Sequence, residues 1–404
     1  MVNHVPTDIQ TNKEDKQLNE KTNTRMKIGI VLYPTFGGSG VVATELGKAL
    51  ALKGHQIHFI TYSQPVRLGS FRENIYYHEV AVSDYPLFEY QPYETELASK
   101  MVDVVKYENL DLLHVHYAIP HASAAFMAQQ ILRSQGIDIP FITTLHGTDI
   151  TLVGKDPSFE PVITFCINAS NAVTAVSESL RKDTFAHFAT DREIHVIPNF
   201  IQAKAELQPI DLEKRRHYAL DHERILCHIS NFRKVKRVED VVEIFRQVQE
   251  RIPAKLILGG DGPERPLVER MAREMGICNK IIFTGKVRET GPILEIADLV
   301  LLPSETESFG LAALEAMAEG VPVVSSNTGG IPEVNRHGFS GYLSNVGDVD
   351  AMSKHAIHIL SDDARLQAFR EQALVQAHKF SLKEVLPIYE NLYRQVIKEL
   401  QAVS

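Results

Sequence analysis

From Met26 onward the chain alternates short runs of β-branched and aliphatic residues with longer stretches of helical spacing, and it does so twice. Such alternation is the signature of parallel strands joined by crossover helices, because a parallel partner is reached only through a long connection. In the first series the strands read Lys27 to Tyr33, Gln56 to Tyr62, Leu112 to His116, Phe141 to Leu145, Ala172 to Val176 and Ile194 to Ile197. Periodicity lapses from Pro198 to Asp211. A second series follows with Arg224 to Ile229, Lys255 to Gly259, Lys280 to Thr284, Asp298 to Leu302 and Val321 to Ser325. Ser381 to about Val403 carries Val385, Ile388, Leu392, Val396 and Leu400 at helical spacing, which predicts a closing amphipathic helix. The expected fold class is therefore α/β, with two doubly wound, Rossmann-like domains. Open sheets of this kind bind ligands outside the carboxyl ends of their strands, so two that face each other make a cleft.

The expected boundaries are 26–200 for the first domain, 201–380 for the second and 381–404 for a helix returning toward the first. Residues 1–25 are polar, lack an apolar signal core and precede a second methionine, so they read as a disordered extension or leader. A chain of 404 residues has room for two such cores. Its 42 basic and 51 acidic residues leave a net charge of −9, which disfavours nucleic acid or stable membrane insertion as the target and favours a small partner. Cys166, Cys227 and Cys278 form neither a disulfide framework nor a zinc pattern, and a reducing cytoplasm fits them. Association of identical chains is left open.

Three segments carry chemistry. The first strand runs into Gly37-Gly38-Ser39-Gly40 and then a helical pattern from Val41 to Leu52. Glycines at a strand-to-helix turn let backbone N–H groups approach a phosphate or carboxylate. The spacing matches neither the dinucleotide nor the P-loop fingerprint, and the second strand lacks a ribose-binding acid at its end. A tight turn with no ligand is the plain alternative. The segment Asn231-Phe232-Arg233-Lys234-Val235-Lys236-Arg237 sets four cations in five positions after a strand, where they can neutralise a diphosphate leaving group. A solvated helix start explains it equally well. The most specific signal is the run Glu307-Ser308-Phe309-Gly310-Leu311 continuing to Glu315. Here one carboxylate sits in a loop after a buried strand and the second about two helical turns on, so both can reach one cleft. A further glycine-rich strand end, Thr328-Gly329-Gly330-Ile331-Pro332-Glu333, lies downstream.

Together these motifs resemble the retaining glycosyltransferases of family 4, which have the GT-B fold, over essentially Met26 to the end. Within that family, the segments around Gly37, His114 to Ala122, Thr144 to Asp149 and Ser230 to Arg237 are similar to those of members that move N-acetylglucosamine from UDP-GlcNAc to L-malate, opening bacillithiol biosynthesis. The resemblance implies that Glu307 contacts the transferred sugar and Glu315 the ribose, while Arg233 and Lys236 bind the diphosphate. It also implies donor contacts from Gly37, Gly38, Asn231, Ser308, Phe309, Gly310 and Leu311, with the uracil against the loop from Gly285 to Arg288. One departure is that the family usually spaces this Arg and Lys by five residues, whereas Arg233 and Lys236 are three apart; Lys234 is available to share the role.

His114, His116, His121 and His146 invite a metal reading, but no pattern supplies a third ligand, and the expectation is no metal and no cofactor beyond the UDP-GlcNAc donor. His146, at a strand end before Gly147, is better placed to bond the hexose, as the resemblance also implies. The acceptor is expected against Gly38, Ser39, Tyr117 and Thr144, with Arg67, Arg72 or Lys100 supplying a cation for the malate carboxylates. Rival readings are a family 4 transferase with a polyol, sugar or lipid acceptor, a UDP-GlcNAc epimerase on the same fold, a sugar phosphorylase, and a non-catalytic binder of nucleotide sugars.

Overall fold

The computed structural model describes residues 25–403 apart from 36, 71, 82–91, 153 and 155. The expectation for residues 1–25 falls almost wholly outside the described residues. Two parallel sheets organise the chain. The first has seven strands in the order β3-β2-β1-β4-β5-β6-β7, from Lys27–Val31 (β1), Gln56–Thr61 (β2), Ile75–Glu79 (β3), Leu112–His116 (β4), Phe141–Leu145 (β5), Ala172–Ala175 (β6) and Ile194–Val196 (β7). The second has six in the order β10-β9-β8-β11-β12-β13, from Arg224–Ser230 (β8), Ala254–Gly260 (β9), Ile281–Gly285 (β10), Leu299–Leu302 (β11), Val323–Ser326 (β12) and Gly341–Ser344 (β13). The order reverses at β1 and at β8, and the switch points open on the cleft.

Burial explains the strand composition. β4, β5, β6, β11 and β12 are buried at every residue, as strands covered by helices on both faces must be. Two strands differ from the sequence expectation by their presence: β3 is a half-exposed edge strand reading IYYHE, and β13 is a four-residue edge strand beginning with glycine. Neither has a continuous apolar run.

The final helix, Leu382–Val403, packs on the first domain. Its Val385, Leu386, Tyr389, Leu392, Tyr393 and Val396 share a core with Ile28, Ile30, Leu46 and Leu50. Ile388, expected on the buried stripe, is 44% exposed, and the tyrosines take the inward positions instead. Just before this helix the chain runs beside the interdomain link: Ile201 N–H donates to Phe380 O (3.0 Å) and Leu382 N–H to Ile201 O (3.1 Å). The two crossings between domains thus lie side by side.

Candidate active site

Between the carboxyl ends of the two sheets lies a cleft of about 900 Å³, lined from the first domain by Thr35, Gly37, Gly38, Val41 and Arg67 and from the second by residues including Asn231, Lys236, Glu307 and Glu315. Lys286, Val287 and Arg288, which follow Gly285 after β10, also line it, whereas Gly285 does not. The helix after β1 begins at Gly38, three residues earlier than its apolar pattern suggests, so Gly38, Ser39 and Gly40 form its first turn with Gly37 as N-cap. No side chain caps that turn, so its leading N–H groups have no side-chain acceptor, and Gly37 and Gly38 line the cleft. Gly38 faces Leu311 across the gap.

On the opposite side Glu307 follows β11 and is held in place by its neighbours. Its carboxylate is ion-paired to Lys236 and accepts from Ser304 Oγ (3.1 Å), and its carbonyl accepts from Gly330 N–H (2.9 Å). Helix Leu311–Ala318 starts after Gly310, whose φ of +94° makes a sharp turn, and Leu311 and Ala312 at its start line the cleft. Glu315, two turns into the motif, lies 3.6 Å from Arg67 Nη2 and accepts from Thr290 Oγ1 (3.2 Å). Burial pushes its carboxyl up, against the pull of Arg67 and Thr290. Arg67, expected on the acceptor, is therefore paired with the carboxylate expected on the ribose.

His146 stands at the end of β5. Its Nε2 is hydrogen-bonded to His116 Nδ1 (2.8 Å) and its ring stacks on that of His116, 5.1 Å between centroids. Burial pushes His146 down to about 3, so the imidazole is neutral at physiological pH. Tyr117 meets Ser39 (2.7 Å between hydroxyl oxygens), joining two expected acceptor contacts. The third, Thr144, is turned away: its hydroxyl is fully buried and bonded to His114 Nε2 (2.7 Å) and Thr174 Oγ1 (2.7 Å), one pleat below the strand end. Arg233 and Lys234 are exposed and do not line the cleft, while Lys236 does. Arg72 is exposed and Lys100 half-buried, both away from the lining. Of the expected donor contacts Ser308, Phe309, Gly310 and Leu311, only Leu311 lines the cleft; Ser308 O accepts from Ser177 Oγ, and Phe309 is buried with its ring edge-on to Phe380.

Sequence reasoning missed Asp149. Its buried carboxylate accepts from Ala118 N–H (3.0 Å) and Gly147 N–H (3.0 Å), tying together the loops after β4 and β5. Burial raises it despite those bonds. The signal available was the Asp two residues after a glycine at a strand end, a pattern too common to single out. Gly147 itself has φ +110°, and a Cβ there would collide with Ser308. His114 is engaged by Thr144 and by Tyr393, which its Nδ1 meets at 2.7 Å. Among the described residues, His58, His78 and Glu108, on β2, β3 and the end of helix Tyr93–Glu108, bring donor atoms close enough together to hold a metal ion, and none of them lines the cleft.

Residues 36–204 match the model of Glycosyltransferase Family 4, and residues 210–376 that of Glycosyl transferases group 1. The fold is shared with sucrose-phosphate synthase from Thermosynechococcus elongatus (TM-score 0.75, 20% identity, 94% of this chain and 100% of that one). It is shared equally with Anabaena HepE in complex with UDP and glucose (0.75, 19%, 91% and 99%). The chain belongs to the family 4 glycosyltransferases of the GT-B fold and is an enzyme of that class. Over 377 residues, 93% of this chain and 98% of its relative, it is 46% identical to the N-acetyl-alpha-D-glucosaminyl L-malate synthase of Bacillus anthracis. It is 25% identical to 2-deoxystreptamine N-acetyl-D-glucosaminyltransferase from Niallia circulans over 88% of this chain and 97% of that one. Among the described residues no helix is long and apolar enough to cross a membrane.

Proposed function

We propose that the enzyme transfers N-acetylglucosamine from UDP-GlcNAc to the hydroxyl of L-malate with retention of the α configuration, the first step of bacillithiol biosynthesis. The 46% identity to the Bacillus anthracis synthase, spread over 93% of the chain, carries this reading. In it, Glu307 accepts from hexose hydroxyls, Glu315 from the ribose, and His146 bonds the hexose from the first domain. Lys236 and the uncapped start of helix Leu311–Ala318 stabilise charge growing on the departing diphosphate, as fixed donors and dipoles do in a water-poor cleft. Arg233 adds long-range positive charge.

The acceptor hydroxyl enters on the face the diphosphate leaves. The C–O bond to the nucleotide breaks, the bond to malate forms, and a β-phosphate oxygen takes the hydroxyl proton. One malate carboxylate is received by the N–H groups of the first turn at Gly38, with Ser39 and Tyr117 beside it. Because Lys236 and backbone dipoles supply the positive charge, no divalent metal is needed and turnover should persist in excess chelator.

The test is one incubation of UDP-GlcNAc with a panel of hydroxy acids, following UDP release and the anomeric proton of the product. Malate-dependent release with an α-linked product is expected. UDP release without acceptor would identify a hydrolase, conversion to an isomeric UDP-sugar without UDP release an epimerase, and equal rates with unrelated polyols would remove malate from the proposal.

A further inference from the structure

The glycine-rich turn after β12 lies outside the cleft lining. The run Thr328-Gly329-Gly330-Ile331-Pro332-Glu333 ends in a glutamate that does not line the cleft. Its carboxylate instead crosses to the other domain. Glu333 Oε2 accepts from Glu178 N–H (2.9 Å) and Oε1 from Ser179 N–H (2.9 Å), the first two N–H groups of helix Glu178–His187. That helix supplies only part of its own cap: Ser177 Oγ accepts from Leu180 N–H (3.0 Å). Two of its leading donors are thus satisfied by a charged group from the second domain, and a carboxylate at a helix N-terminus is doubly favoured, by the dipole and by ionised acceptance. Ser177 adds a second strap, its hydroxyl donating to Ser308 O (2.6 Å). Arg181 holds the Glu178 carboxylate (2.7 Å), so the crossing acid does not face an unpaired like charge.

The same loop buttresses the sugar-binding side. Gly330 N–H donates to Glu307 O (2.9 Å), Thr328 Oγ1 to Glu305 O (3.2 Å), and Gly329, at φ +54°, lies so close to the Glu307 carbonyl that any Cβ there would collide with it. Glu333, Glu307 and Ser308 are thus tied together through this loop. On the first-domain side, Gly147 abuts Ser308, next to His146.

We infer that Glu333 is an interdomain clasp: by capping helix Glu178–His187 it holds the cleft closed and sets Glu307 and Ser308 against His146 and Gly147. It is a positioning residue, acting through the domains and touching no reacting atom. The kinetic consequence rests on the glycosyl-transfer reading; the geometric one does not.

The test uses the full chain labelled at the exposed Cys278 on the second domain and at an introduced thiol, Lys53→Cys, on the first, with the distance read by energy transfer. Glu333→Ala should broaden and lengthen that distance. It should also lower turnover at saturating donor at least tenfold, yet leave the UDP dissociation constant within twofold, because the nucleotide-binding residues are untouched. Glu333→Gln keeps one acceptor oxygen and should fall between, a partial rescue that loss of fold would not give; it carries the test alone where the alanine variant does not fold. Unchanged distance and turnover in both variants would overturn the clasp. So would a weakening of UDP binding equal to the loss of turnover, which would make Glu333 a nucleotide contact. A wild-type protein that releases no UDP would sink the functional reading while the distance measurement still judged the clasp.

Discussion

Glu307 and Glu315 lie eight residues apart in the sequence and work under different constraints. Glu307 is paired with Lys236 beside the expected hexose, where hydrogen bonds change as positive charge develops on the sugar. Glu307→Gln keeps the shape and removes the charge. A charge-assisted hydrogen bond is worth about 1.5–3 kcal/mol, so kcat should fall roughly 10–100-fold, with the thermal midpoint moved only about 2–4 °C. In the proposed arrangement Glu315 meets the ribose, remote from the reacting bond, so Glu315→Gln should raise the donor KM about fivefold and leave kcat nearly intact, as loss of uniform binding does. A kcat loss at Glu315 matching that at Glu307 would contradict the assignment.

Histidines set the acid limit of stability. Burial pushes His58, His121 and His228 down to about 4, His114 and His146 to about 3, and His116 well below its ordinary value. Each folded pKa is below the unfolded value of about 6.5, so between the two the unfolded chain binds more protons and stability rises with pH. Full stability holds above about pH 6.5 and is lost as the pH falls toward 4. Asp149 and Glu315, raised by burial, act in the opposite sense. The urea midpoint should drop steeply between pH 6.5 and 5; a flat profile there would mean these histidines are charged in the native state.

At the scale of elements, the last helix does more than close the core. Tyr393 hydroxyl meets His114, which bonds Thr144, which in turn bonds Thr174, so a polar chain runs from the helix through three strands just below His146. Tyr393→Phe leaves His114 Nδ1 buried without a partner, at a cost of about 1–3 kcal/mol. The expected result is a lower urea midpoint with an unchanged m-value. Such chains were beyond the sequence, because they join residues 279 apart in the chain. What the sequence did carry was whatever repeats locally: the runs of β1, β2, β4 to β6, β8 and β11 were legible because strands buried on both faces are rich in β-branched and aliphatic residues, even where a few buried His and Thr interrupt them. β3 and β13 were not, since an edge strand can mix Tyr, His and Glu or begin with glycine. In the site, Glu307, Glu315 and the Gly37-Gly38 turn were legible from spacing. The Arg67–Glu315 pair, the burial of Thr144 and the role of Asp149 depend on which strands lie side by side, and no local pattern encodes that.

The whole molecule is two lobes joined by adjacent crossings, so the geometry of the site depends on how closely the lobes approach. Gly147 is one point of close approach: it lies beside His146 on one lobe and against Ser308 on the other, in a left-handed conformation. Alanine there has two separate costs. The positive φ disfavours any side chain by about 1 kcal/mol, which is felt within the first lobe. The Cβ also collides with Ser308, and this second strain is relieved if the lobes part slightly, because loops between domains yield more readily than a packed sheet does. Parting the lobes separates His146 from Glu307, and misplacement by about 1 Å can cost on the order of 100-fold in rate. Gly147→Ala should therefore keep a cooperative unfolding transition and ordinary UDP affinity while losing most turnover. Adding Ser308→Gly removes the atoms that the new methyl group meets and should restore part of the rate. If the double variant is no faster than Gly147→Ala alone, the loss arises from backbone strain within the first lobe and not from the spacing between lobes.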